Sequence, residues 1–298
     1  MTQSALKNAI FKQYIREGKV MRKWPLPSFT RTIQLAFLFT TSTFILIPFY
    51  ATFLGGFKST GELRTQPFSL PEHWDFSRYR QILSDPSLWQ MLANSLLYTT
   101  LTVTLTLLIA SMVAFTFSHL HFFGKKFAYS YLISGMMFPA ATAILSLFIK
   151  IRDFCLLDST AGLVMPQIAF GLAMSVLFFK SFFEQLPKEL FEAAMVDGCS
   201  YMRFFFQIVI PLSTPILATV GVFLLVSSWN SYILPLILLN SPENYPWTLG
   251  LMQFRGQYNV EWNLVLGYIT ITIIPAIIFF LLAQHYIVAG LSQGAVKG

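Results

Sequence analysis

Six stretches of the chain are apolar almost without interruption: roughly 32–57, 89–118, 127–149, 161–183, 205–240 and 262–288. Each is long enough for the about 20 residues that carry a helix across a hydrocarbon core. A membrane barrel would instead show strands of about ten residues with alternating polarity, and that alternation is absent. The pattern predicts an all-α polytopic membrane protein with six transmembrane helices over 32–288. Residues 1–31 hold no apolar run, and no small-x-small cleavage site follows the first span, so that span is read as an uncleaved helix. Two polar stretches between spans stand out, 184–204 and 241–261, and a short tail follows at 289–298.

Composition agrees. Charged residues are 11% of the 298, hydrophobic ones 55%, and mean hydropathy is +0.61; soluble domains carry about 25% charged residues. The net charge of +7 is unevenly placed. The amino-terminal arm, 1–31, carries Lys7, Lys12, Arg16, Lys19, Arg22, Lys23 and Arg31. With that arm cytoplasmic, 13 of the 20 Lys and Arg but only 5 of the 13 Asp and Glu face inward. The positive-inside rule then puts both termini in the cytoplasm. The basic arm is thus a topology signal, and no nucleic acid is expected as a partner.

The spans hold almost no ionisable residue, whereas proton-coupled carriers need intramembrane Asp, Glu, His or Arg. Sodium coupling through backbone carbonyls stays open. There is no G-x-x-x-x-G-K-[ST] phosphate loop and no catalytic triad or carboxylate pair. The four histidines are dispersed, so no metal site is expected, and Cys155 and Cys199 fall on opposite membrane faces. The chain is expected to be neither an enzyme nor a cofactor-binding protein. Energy for uphill transport must then come from another polypeptide.

Residues 184–204 are built to receive such a partner. Pro187 suits a first helical turn, and Glu189 and Glu192 favour the positive end of the helix. Leu190, Ala194 and Asp197 share a face at helical spacing, with Ala193 beside it. Gly198 can stop the helix in a left-handed cap. Ser200 can cap a second helix from Tyr201, and Pro211 and Pro215 bend the entry to the next span. The predicted result is a helix–Gly–helix elbow whose first arm is about 16 Å long. A helix lying on the membrane surface is the competing reading, although such helices favour Lys and Arg on their polar face.

Glu192-Ala193-Ala194-x-x-Asp197-Gly198, with Pro211 downstream, resembles the EAA motif of ATP-binding-cassette (ABC) importer permeases. Asn94-Ser95-Leu96, Trp229-Asn230 with Pro235-Leu236, and the ending Gly290-Leu-Ser-Gln-Gly294-Ala-Val-Lys297-Gly298 extend the likeness to the MalG-like subunits of carbohydrate importers. The resemblance implies a type I ABC importer (MetI-like) permease fold and one half of a pore completed by a MalF-like subunit. It also implies two ABC ATPase subunits holding ATP and Mg, and an extracytoplasmic solute-binding protein, with the chain in the inner membrane. Coupling to the ATPase would fall to Glu192, Ala193, Ala194, Asp197, Gly198 and Pro211, and to the tail through Gly290, Gly294 and Lys297. In loop 241–261, Tyr245, Trp247, Arg255 and Tyr258 are candidates for touching the binding protein; interfacial anchoring is their competing role. Asn94, Gln167, Trp229 and Asn230 are candidates for the sugar path, against simple interhelical hydrogen bonding. Met136, Met137 and Phe138 form either a hydrophobic gate or ordinary packing. An autonomous secondary carrier or channel is the alternative function.

Overall fold

The computed structural model describes residues 29–254, 256 and 260–295. Lys7 to Lys23 of the basic arm, Arg255, Tyr258 and Lys297 lie outside the described residues. Helix α1 (Phe29–Gly55) is apolar and long enough to cross a bilayer. Its body belongs to a unit of its own that ends at Ala51; the description below concerns the unit from Thr52 onward.

After α1 come two short helices, α2 (Thr60–Thr65) and α3 (Ser77–Ser84). α2 opens on a capping box: Ser59 Oγ accepts from Glu62 N–H at 3.2 Å, and the Glu62 carboxylate accepts from Ser59 N–H at 2.7 Å. The same carboxylate takes the Glu72 N–H at 2.9 Å. These bonds, that of Glu72 first, hold Glu62 below the usual carboxylate range. Lys58 is wholly buried, and its Nζ donates to Gln66 O (2.7 Å), Pro67 O (3.1 Å) and Ser69 Oγ (3.3 Å). All three ammonium hydrogens are therefore satisfied, which makes the burial tolerable.

The frame is four long elements. α4 (Pro86–His119) starts at Pro86, with Asp85 as cap accepting from Ser87 N–H. α5 (Lys125–Ser134, extended by a 3₁₀ turn at Gly135–Met137) and α6 (Ala140–Asp153) follow. α7 (Thr160–Phe183) is capped by Ser159. The elbow holds α8 (Lys188–Val196) and α9 (Tyr201–Phe204), then a π turn at Phe205–Val209 and α10 (Ile210–Leu212). α11 (Thr214–Trp229), α12 (Ile233–Leu238), α13 (Trp247–Gly250) and α14 (Trp262–Ala295) complete the chain. α4 packs along α7, and α11 packs against α4, α7 and α14. Gly171 faces α11 at close range: a Cβ there would come within 2.8 Å of the Leu224 side-chain tip, which would have to turn aside.

The helical, span-by-span reading holds, with two corrections. Four helices can cross a membrane singly, and the count reaches six only when two bent pairs each serve as one span. Stretch 127–149 is not straight: α5 and α6 meet at 104°. Pro139 explains the bend, because it pushes Phe138 into extended backbone (φ −88°, ψ 121°). Stretch 205–240 is broken twice. The arm Tyr201–Leu212 meets α11 at 79°, where Pro215 leaves the Pro211 carbonyl to the Thr214 hydroxyl at 2.8 Å. The helix then stops at Trp229 and resumes only at Ile233. Pro211 itself follows the widened turn in which Ile210 N–H reaches back to Phe205 O. At the other end, α14 runs on to Ala295 as one helix, so Gly290 and Gly294 lie in its last turns.

Candidate functional site

Most residues of the elbow are exposed or half-buried. α8 spans nine residues, about 13 Å by helical rise. Gly198 sits at φ +73°, and its N–H bonds Met195 O at 3.1 Å while Cys199 N–H reaches Ala194 O at 2.9 Å. That is a left-handed glycine stop with the last carbonyls satisfied. Ser200 Oγ then accepts from Arg203 N–H at 3.3 Å and starts α9. Pro187 stands just before the first turn, as the cap residue.

Rings hold the elbow to the end of α4. Phe191 stacks on Tyr201 (centroids 6.0 Å, planes 8° apart) and meets Phe204 edge-on at 5.3 Å. His119 lies 5.4 Å from Phe191 and stacks on Phe115 at 4.9 Å. Phe204, Phe205 and Phe115 are buried there, with Ala194, Met195 and Cys199 packed on the same cluster. The two alanines therefore differ: Ala194 is turned inward, while Ala193 is exposed with Glu192 and Asp197. Helical spacing placed Ala194 with Leu190 and Asp197 but could not say which residues the core would claim. The free face also carries Leu190 at 42% and Val196 at 88% exposure, so it is an apolar surface edged by acids.

A second feature lies between α4, α7 and α11. A partly open cavity of about 330 Å³ is lined by Thr102, Gln167, Phe170, Phe223 and Ser228 among others. The Gln167 amide oxygen accepts from Thr102 Oγ1 at 3.0 Å and Ser228 Oγ at 2.7 Å. Met136 and Phe138 reach the cavity wall from the α5–α6 bend. Met137 and Phe138 are 83% and 72% exposed, so they are not packed into this chain's core.

The end of the molecule opposite the elbow is a polar latch. Asp158, at φ +56°, accepts from Asn240 N–H (3.0 Å), Ser241 N–H (3.1 Å), Asn244 Nδ2 (3.1 Å) and the Ser241 hydroxyl. These donors, the Ser241 hydroxyl foremost, hold its carboxyl far below the usual range. Asn94 Nδ2 donates to Glu243 O (2.7 Å) and Tyr245 O (3.1 Å), and Tyr98 OH donates to Asn244 O at 2.9 Å.

The four sugar-path candidates are thus separated. Asn94 spends its amide hydrogens on the loop, and Gln167 lines the cavity. Trp229 is 3% exposed, lies 6.3 Å from Trp247, and its indole N–H has no partner among the described residues. Asn230 is exposed, with its amide returned to Val226 O at 2.8 Å. Of the loop candidates, Tyr245 and Trp247 are half-buried; Trp247 Nε1 donates to Trp229 O at 2.8 Å. Sequence reasoning missed Asp158 and Ser228. Asp158 gave no signal, because its partners lie more than 80 residues away. No group of three or more His, Cys, Asp or Glu able to hold a metal occurs among the described residues.

The chain resembles known proteins along most of its length. It is 30% identical over 267 residues to a diacetylchitobiose uptake system permease protein of Streptomyces coelicolor, covering 89% of this chain and 88% of that one. It is 30% identical over 283 residues to an arabinooligosaccharides transport system permease protein of Bacillus subtilis, covering 94% of this chain and 100% of that one. Its fold matches, with a TM-score of 0.76 and 26% identity, a chain from the crystal structure of a bacterial ABC transporter involved in the import of the acidic polysaccharide alginate; the match covers 89% of this chain and 100% of that one. Residues 106–292 match the family of binding-protein-dependent transport system inner membrane components, and with α4, α7, α11, α14 and the elbow arranged as described, the chain is a MalG-like permease of that family.

Proposed function

We propose that this chain forms half of the translocation pathway of an ATP-driven oligosaccharide importer, and that its elbow receives the force. The observation that carries the reading is the glycine-stopped α8: a short helix packed against α4 by rings on one side and presenting Glu192, Ala193, Val196 and Asp197 on the other. An apolar face edged by Glu192 and Asp197 suits a cleft with a basic rim on an ATPase subunit. The remaining parts follow from the family: a second, MalF-like permease subunit, two ATPase chains that bind ATP and Mg, and a solute-binding protein outside. No cofactor is assigned to this chain. Both termini face the cytoplasm in this reading, which puts the elbow there and the Asp158 latch outside. The tail with Gly290, Gly294 and Lys297 is a further ATPase contact, and Arg255 and Tyr258 are left as contacts for the binding protein. Relatives named for diacetylchitobiose and arabinooligosaccharides support a sugar as cargo.

The test is ATP-dependent uptake in vesicles holding the whole complex. Glu192→Lys and Gly198→Asp are expected to abolish uptake while the chain still inserts. Full uptake by both refutes the docking role, and gradient-driven flux through this chain without ATPase subunits would instead support an autonomous carrier.

A further inference from the structure

The cavity around Gln167 has features that packing alone does not explain. Both places near it where the backbone leaves regular α-helical form border it: the Phe138–Pro139 bend supplies Gly135, Met136 and Phe138, and the gap after Trp229 supplies Ser231, with Leu234 from the start of α12 beside it. Irregular backbone at membrane depth is tolerated where it is buried in protein or lines a wet cavity, and broken helices build the substrate sites of many transporters. Gln167 is 9% exposed. Its amide oxygen already accepts from two hydroxyls, which orients the amide group, and since its NH₂ end donates to no group among the described residues it is left to donate to whatever enters. Ser227 and Ser231 add hydroxyls to the lining, while Phe170 and Phe223 add ring faces.

We infer that Gln167, held by Thr102 and Ser228, is a sugar-binding subsite in this half of the pathway, selective for uncharged sugar units. The inference rests on the importer reading above. A sugar ring has apolar C–H faces and polar hydroxyl edges, which match aromatic walls and one pre-oriented amide. The volume of about 330 Å³ lies at the small end of the about 300–1,000 Å³ of small-molecule sites, so it takes a part of an oligosaccharide. None of the described lining residues carries a charge, and a carboxylate entering would lose its water without an ionic partner. Uronic-acid units are therefore disfavoured here.

The test uses the whole complex in vesicles, with diacetylchitobiose, arabino-oligosaccharides, malto-oligosaccharides and alginate oligosaccharides as probes. Gln167→Leu is expected to lower uptake of the neutral sugar that wild type transports about five- to tenfold, the value of one lost hydrogen bond. In a chain with Cys155 and Cys199 replaced by Ser, Gln167→Cys is expected to react with a small thiol reagent, and the transported sugar to slow that reaction. Wild-type uptake by Gln167→Leu, labelling of Gln167→Cys that sugar leaves unchanged, or an acidic oligosaccharide as the preferred cargo overturns the subsite. If Gln167→Leu loses ATPase stimulation too, the sugar-protection result alone decides. Failure of the importer reading looks different: wild type itself would show no ATP-dependent uptake of any probe.

Discussion

The two ends of the helical frame are joined in opposite ways. At the elbow end, Phe191, Tyr201, Phe204, Phe115 and His119 make a cluster of rings, and among the described residues the one side-chain hydrogen bond that leaves 188–204 reaches only the adjoining π turn, from Arg203 Nε to Gln207 Oε1 at 3.1 Å. At the far end, Asp158, Asn94, Gln90 and Tyr98 fix loop 240–245 through a dense set of directional bonds. Apolar contact is non-directional, so ring surfaces can shift against one another while staying buried. A carboxylate with four donors cannot shift without losing bonds. Under the proposed importer function, the difference suits the elbow to transmitting movement and the latch to serving as the bracket against which the long helices act.

Breaking the joint gives the largest expected effect. Phe191→Ala removes the ring that both Tyr201 and Phe204 contact, and is expected to cost about 3 kcal/mol, the low end for such truncations because Phe191 is only half-buried. Thermal unfolding in detergent gives the cost, and uptake is expected to fall with it.

The bracket comes next. Asp158→Ala leaves the Asn240 and Ser241 N–H groups without their acceptor and is expected to cost about 1–3 kcal/mol. Its pH dependence separates the two ends further. Asp158 is held below its ordinary pKa, so its contribution is complete above the unfolded value of about 3.9 and is lost as pH falls through the folded one. Unfolding profiles from pH 7 downward are therefore expected to be flat for this group until below about pH 4. Asp158→Asn is expected to shrink the acid-side loss.

A pair of neighbours sharpens the contrast within the elbow. Ala194→Leu overfills the ring cluster and is expected to destabilise by about 1–3 kcal/mol. Ala193→Leu, on the exposed face, is expected to leave stability within about 0.5 kcal/mol yet to suppress sugar-dependent ATP hydrolysis. Unfolding midpoints and ATPase assays on the assembled complex check both. The smallest change belongs to Asn230→Ala, which loses one bond back to its own helix at Val226 and is expected to alter stability by less than about 0.5 kcal/mol.

Much of this was legible in the sequence because it is local. Gly198 as a left-handed stop, Ser200 as a cap and the prolines as bends are properties of a few adjacent residues, and the structure shows each of them. Hydropathy gave the apolar stretches but hid the 104° bend and the break after Trp229, because a bent apolar helix is as apolar as a straight one. Long-range pairings were not readable at all. Asn94 sits in a span like a path-lining residue, yet its partners are 149 and 151 residues away in a loop. Gln167 shows the reverse: its polarity in an apolar stretch was visible, while the hydroxyls that aim it, from Thr102 and Ser228, needed three helices to be in place.

The most direct test of the elbow's role is proximity cross-linking in the assembled transporter. In a chain with Cys155 and Cys199 replaced by Ser, cysteine is placed singly at Val196 on the exposed face and at Ala194 on the buried one, and a short bifunctional thiol reagent is added. Docking by the exposed face predicts that Val196→Cys links to an ATPase subunit and that Ala194→Cys does not. Efficient linking from Ala194→Cys with none from Val196→Cys would contradict it.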